Sequence, residues 1–168
     1  MKKTVDFGTL NIVIDIHGSI ATYRFIGVID ENFKEADIPR APGKKVIFDL
    51  KDIQSINSIG IREWIKLAND YQDSLSLIYK NCSIAFVDQM NMVPDSIGNA
   101  SIQSFYAPYY RECKTCPGEK SCLLDLVECE QQVQKSEPPQ RKCLDCNEEL
   151  EFDALEESYF SFLKRKKK

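Results

Sequence analysis

The stretch Val46-Ile47-Phe48-Asp49-Leu50-Lys51-Asp52-Ile53-Gln54-Ser55-Ile56-Asn57-Ser58-Ile59-Gly60-Ile61 decides the fold. Its first five residues are nearly continuous in apolar character, which predicts a mid-sheet strand covered on both faces. Beyond the loop, Ile61, Trp64, Ile65, Ala68 and Tyr71 recur at helical spacing, while Arg62, Glu63, Lys66, Asn69 and Asp70 take the other side. The spacing of Trp64 with Ile61 and Ala68 reads as core packing. Strand, loop and helix thus follow one another, and Ser58 stands where a hydroxyl can cap the helix.

Upstream, Leu10, Ile12, Ile14 and Ile16 repeat with period two, His17-Gly18-Ser19 turns, and a second β-rich run covers 20–28. Together they predict a hairpin. Residues 31–38 then fit a short helix capped by Asp30 and stopped by Pro39, and Pro42-Gly43 makes a turn. Downstream, 83–87 reads as a buried strand, 94–99 as one or two helical turns and 102–106 as a last strand. The order is ββαβαβ, then a short αβ.

The 168 residues suit one ordinary domain with a compact appendage. Apolar residues make up 43% and charged residues 29%, which excludes global disorder. The net charge of −4 offers no general attraction to a polyanion, so nucleic acid is not an expected partner. Every apolar run breaks well short of the roughly 20 residues that span a bilayer, and the first residues lack a secretory h-region. No membrane association is expected, and a cytoplasmic chain is. There its seven cysteines are free thiols or metal ligands rather than disulfides.

Six of those cysteines fall between Cys113 and Cys146, and with Pro138-Pro139 among them they set a boundary near Tyr110, giving units of 1–110 and 111–168. Cys113-Lys114-Thr115-Cys116 and Cys143-Leu144-Asp145-Cys146 are two C-x2-C units. Each can set two thiolates on one side of a tight knuckle, and facing knuckles supply the four soft donors of a structural zinc-ribbon-like Zn site. Pro117-Gly118 and Asn147 suit the sharp turns that follow. Four thiolates leave no open position for a catalytic water, and metal binding of roughly 10–16 kcal/mol explains how so small a segment folds. Cys122 and Cys129 stand outside this set, either as thiols or as alternative ligands. An iron–sulfur cluster uses the same donors, and a redox pair needs a strand-to-helix context that Cys113 lacks. Residues 148–153 then read as a short strand and 154–163 as a helix carrying Leu155, Tyr159, Phe160 and Leu163. The closing run of Lys and Arg from Lys164 reads as a solvated tail, with binding to an acidic partner or anionic surface as the alternative.

The quoted stretch resembles the signature of the STAS family, shared by sulfate transporters and anti-sigma factor antagonists. Gly27 and Asp30 at the end of the second strand and the order of elements support it over roughly residues 5–110. The resemblance implies an α/β fold, a mixed sheet of four or five strands with helices on one face. It also implies an Asp-Ser-Ser/Thr-Gly loop presented to a kinase or anti-sigma factor. Here Asn57 replaces the Asp and Ile59 the second Ser or Thr, while Ser58 and Gly60 match. By resemblance Ser58 is the phosphoacceptor, with a phosphate facing the free N–H groups of the following helix, and Asn57, Ser58, Ile59, Gly60, Arg62 and Glu63 form the partner-binding surface.

Catalytic signatures are missing: there is no P-loop, no G-x-G-x-x-G, no G-x-S-x-G and no H-E-x-x-H, and His17 is the only histidine. The expectation is a non-catalytic regulatory protein that binds a kinase-like or anti-sigma partner, with the cysteine module steering partner choice or homodimer formation. The alternative is a scaffold assembling through the zinc module without a phospho-switch.

Overall fold

A computed structural model of the chain describes residues 2–40, 45–71, 76–112, 115–116 and 118–164. Cys113, Lys114, Pro117, the Pro42-Gly43 turn and the tail beyond Lys164 lie outside the described residues. Among the described residues the strands and α-helices are, in order, β1 (Lys2–Asp6), β2 (Leu10–His17), β3 (Ile20–Ile29), β4 (Lys45–Ile56), α1 (Gly60–Asp70), β5 (Ser76–Lys80), α2 (Ile84–Met92), β6 (Ser101–Ile102), β7 (Ser104–Arg111), β8 (Gly118–Asp125), α3 (Leu126–Gln134), β9 (Arg141–Lys142), β10 (Glu149–Phe152) and α4 (Glu156–Tyr159). The protein is α/β. Six strands form a mixed sheet in the order β1-β2-β3-β4-β5-β6, and four more form an antiparallel sheet in the order β8-β7-β10-β9.

In the large sheet β1, β2 and β3 pair antiparallel, while β3, β4, β5 and β6 pair parallel. The expected hairpin is β2–β3, with Gly18 at φ 57° in its turn. β4 is interior, as the quoted stretch implies, but only one of its faces is deeply covered. Val46, Phe48 and Leu50 are buried, whereas Ile47 and Asp49 point to the opposite face and are half-buried. The same alternation runs through Leu10, Ile12 and Ile14, through Ala21, Tyr23 and Phe25, and through Leu77 and Tyr79. Trp64 of α1 and Phe86 of α2 both sit over this face, their rings 5.0 Å apart, and Trp64 also meets Phe25 at 5.1 Å and Phe48 at 5.6 Å. Edge-to-face rings of this kind each contribute about 0.5–1.5 kcal/mol beyond burial.

Several expectations are corrected. Residues 83–87 are not a strand: α2 starts there, because Ser83 Oγ accepts the Phe86 amide and Phe86, Val87 and Met90 are buried at helical spacing. A four-residue apolar run carries no period that separates the two states. The strand lies just before it, at β5. The helix expected over 31–38 shrinks to a 3-10 turn at Glu35–Asp37, since the Asp30 carboxylate accepts the Asn32 amide in a local turn. β1 went unforeseen, being short, charged and without a fully buried residue. The last strand is two, β6 and β7: after Gln103 the chain leaves the first sheet's edge and joins the second. The boundary expected near Tyr110 falls inside β7.

The join of β3, β4 and α1 is tight. The Ile29 carbonyl accepts the Asn57 amide at 3.0 Å, and a Cβ on Gly60 would stand 2.3 Å from that same oxygen. Gly60→Ala is therefore expected to cost about 1–3 kcal/mol in denaturant unfolding, because the contact is backbone and cannot swing aside. Ser58→Ala, two positions away, is expected to stay within about 0.5 kcal/mol.

Candidate functional site

Two constellations stand out, one at the start of α1 and one among the cysteines. At the first, Asn57 rather than Ser58 does the capping. Asn57 Oδ1 accepts the amides of Ile59 at 3.0 Å and Gly60 at 2.8 Å, and its main-chain carbonyl accepts the Ile61 amide at 3.0 Å. Its Nδ2 donates to Glu31 Oε2 at 2.8 Å. Both ends of the Asn57 amide are thus engaged, and the turn is pinned to the loop after β3. Asp30 steadies that loop, its carboxyl held below the usual carboxylate range by the Thr9 hydroxyl and the Asn32 amide.

The arrangement corrects the expectation that Ser58 caps the helix and the one that a phosphate there would face free N–H groups. The first amides of α1 are taken by Asn57, and the nearest carboxylate on the Asn57 side, Glu31, would repel a phosphate. Ser58 is exposed, and Ile59 is 47% exposed despite its apolar side chain. Gly60 is buried against β3, so it shapes the surface without joining it. Arg62 is exposed, but Glu63 turns toward the 3-10 turn, where it accepts the Glu35 amide at 3.2 Å and pairs with Lys66 Nζ at 2.6 Å. Trp64 is fully buried and donates to the Ser96 carbonyl at 3.0 Å, as core packing requires.

At the second constellation the sulfurs of Cys116, Cys143 and Cys146 lie within 4.8 Å of one another. Cys116 Sγ is 3.2 Å from Cys146 Sγ and 3.7 Å from Cys143 Sγ. A tetrahedral ion with metal–sulfur bonds of about 2.3 Å holds its sulfurs about 3.8 Å apart, close to the Cys116–Cys143 separation. The knuckle has the geometry for it: Asn147 at φ 59° lets the chain reverse, and its amide returns to the Cys143 carbonyl at 2.8 Å. The amides of Asp145 and Cys146 point at Cys143 Sγ and hold its thiol below the ordinary range, favouring the thiolate that binds metal. Gly118, two residues after Cys116, has φ 102°.

Lys120 lies close to these thiolates and to Asp145, which it meets at 3.3 Å, and the Asp145 carboxylate followed by the sulfurs raises its pKa. Cys122 and Cys129 do not join the cluster. Cys122 is half-buried on β8, Cys129 donates from α3 to the Asp125 carbonyl at 3.1 Å, and burial pushes both thiols up. Cys82 is fully buried in the first sheet's core, where desolvation pushes its pKa far up. His17 sits exposed at the end of β2 beside Asp15. No helix among the described residues is long and apolar enough to cross a membrane.

Neither a family model nor a curated protein sequence matches the chain.

Two tests follow from the geometry. Asn57→Asp would set a second carboxylate against Glu31, so it is expected to lower unfolding free energy by about 1–3 kcal/mol at pH 7. Glu31→Gln in the same chain should recover most of that loss, because the glutamine amide can donate to the new carboxylate. For the cysteines, the purified chain should carry metal, and Cys143→Ser should lose it on elemental analysis. Removing a metal present at about a thousand times its dissociation constant forfeits about 4 kcal/mol, read as a fall of roughly 10 °C in melting temperature.

Proposed function

We propose that this chain is a non-catalytic regulatory module of the anti-sigma factor antagonist type. It binds a partner protein through the loop and helix surface at residues 57–66, while Zn2+ held by Cys113, Cys116, Cys143 and Cys146 supports the C-terminal half. Cys113 enters as fourth ligand on the strength of its C-x2-C spacing. The observation that carries the reading is Ile59, a β-branched side chain left 47% exposed on a turn locked from both sides.

Leaving such a residue in water costs up to about 1.5–3 kcal/mol relative to full burial. A partner that covers it recovers part of that, and the pinned turn has little conformational entropy left to lose. Ser58 and Arg62 flank it as polar groups, the pattern of an apolar anchor inside a hydrophilic rim. Phosphorylation of Ser58 fits the same surface in one direction only. Because the α1 amides are occupied, the added charge stays at the interface and opposes a partner instead of docking within the chain.

One feature favours scaffolding through the zinc module instead: Leu144, at the tip of the second knuckle, is fully exposed. The two readings separate in an affinity capture from the native cell followed by binding assays with the captured protein. Ile59→Asp and Ser58→Asp should each weaken binding tenfold or more, Ser58→Ala should leave it unchanged, and Leu144→Ser should leave it unchanged. Loss on Leu144→Ser with retention on Ile59→Asp reverses the assignment.

A further inference from the structure

Among the described residues β1 is the outermost strand of the six-stranded sheet, paired only with β2. The hairpin sets which of its backbone groups are spare. Phe7 donates its amide to the Leu10 carbonyl at 2.9 Å, and the pairing Val5↔Ile12 and Lys3↔Ile14 continues that register. Odd-numbered residues therefore turn their amides and carbonyls toward β2, and Lys2, Thr4 and Asp6 turn theirs outward. Three consecutive outward-facing donor–acceptor sets form a template for another strand.

The sequence of that template is complementary to itself. We propose that two copies of this chain pair through β1, antiparallel about Thr4, to make one continuous sheet across a twofold axis normal to it. In that register Thr4 faces Thr4 of the second copy, Lys2 faces its Asp6 and Asp6 its Lys2, while Lys3 faces Val5. Lysines on an edge strand ordinarily repel a second edge, and the neighbouring registers do so here: centring on Lys3 opposes two lysines, and centring on Asp6 opposes two aspartates. Only centring on Thr4 cancels charge twice and keeps the spare hydrogen-bonding groups in line.

The other long outer strand lacks this property. Among the described residues β8 pairs with β7 alone, and folding it back on a copy of itself about Cys122 sets Glu119 against Asp125. The β1 contact is short, well below the roughly 1,000 Å² of a durable interface, so dissociation in the micromolar to millimolar range is expected.

Sedimentation equilibrium on the full chain, with any tag at the C-terminus, reads the association, and amide exchange at Thr4 reads its site. The expected result is a dimer that grows with concentration, with Thr4 exchange slowing in parallel. Thr4→Pro removes an outward amide that β2 does not use and should abolish the dimer. Lys2→Glu should raise the dissociation constant about tenfold, while Lys3→Glu, the same change of charge one residue on, should move it less than about twofold. A chain monomeric at millimolar concentration, a dimer that survives Thr4→Pro, or equal weakening by the two lysine reversals would each overturn the proposal.

Discussion

The carbonyl of Ile29 is the point on which the first half of the molecule turns. It accepts the Asn57 amide and lies so near Gly60 that no side chain fits between. With that contact made, β4 must end at Ile56 and α1 must start at Gly60. Trp64, one helical turn later, then falls over Phe25 and Phe48. The same contact lifts Ser58 and Ile59 away from the sheet, since the residues on either side are held down. Exposure of the loop is a consequence of how closely the helix approaches the strand.

Much of this arrangement was legible because it is local. The alternation of Leu10, Ile12 and Ile14, the helical spacing around Trp64 and the spacing of Cys143 and Cys146 each state a period or a spacing that the fold then uses. What was hidden depends on partners distant in sequence. Nothing within 31–38 shows that Asp30 prefers the Asn32 amide to capping a helix. Nothing near Asn57 shows that Glu31, 26 residues away, accepts its amide hydrogen. That contact also gives a physical reason for an amide rather than a carboxylate at 57: a carboxylate there would face the carboxylate at 31. The apolar run of β4 suggested cover on both faces, yet Ile47 and its neighbour Ile78 lie on the less covered side.

The cysteine cluster depends on a different balance. Three thiols brought to within 4.8 Å are compatible with neutral sulfhydryls or with a cation among thiolates, but a cluster of bare thiolates would repel itself. Lys120, which meets Asp145 on the same knuckle, supplies nearby positive charge, and the main-chain amides aimed at Cys143 supply partial positive charge without a formal one. The amides lower the cost of ionising Cys143, and the thiolate is the state a soft metal requires.

The two halves are joined by more than the chain between them. Cys82, at the end of the first sheet, exchanges main-chain hydrogen bonds with Ser104 and Tyr106 of β7, and Asn91 of α2 binds the C-terminal segment through the Tyr159 carbonyl, the Ser161 hydroxyl and the Phe162 amide. Tyr159 in turn donates to the Tyr106 carbonyl at 2.6 Å, and Phe160 and Phe162 pack on Phe105. Buried side chains from Leu10 to Phe162 consequently form one continuous cluster. The knuckle segment returns to that cluster through β10 and Phe152, whose ring lies 5.3 Å from Phe160. A metal that fixes the turn between β9 and β10 therefore also fixes the strand from which the C-terminal aromatic residues reach across to α2. The cysteine segment draws its core from the same residues as the sheet, with Cys143 inside the buried cluster and Cys116 and Cys146 packed against it.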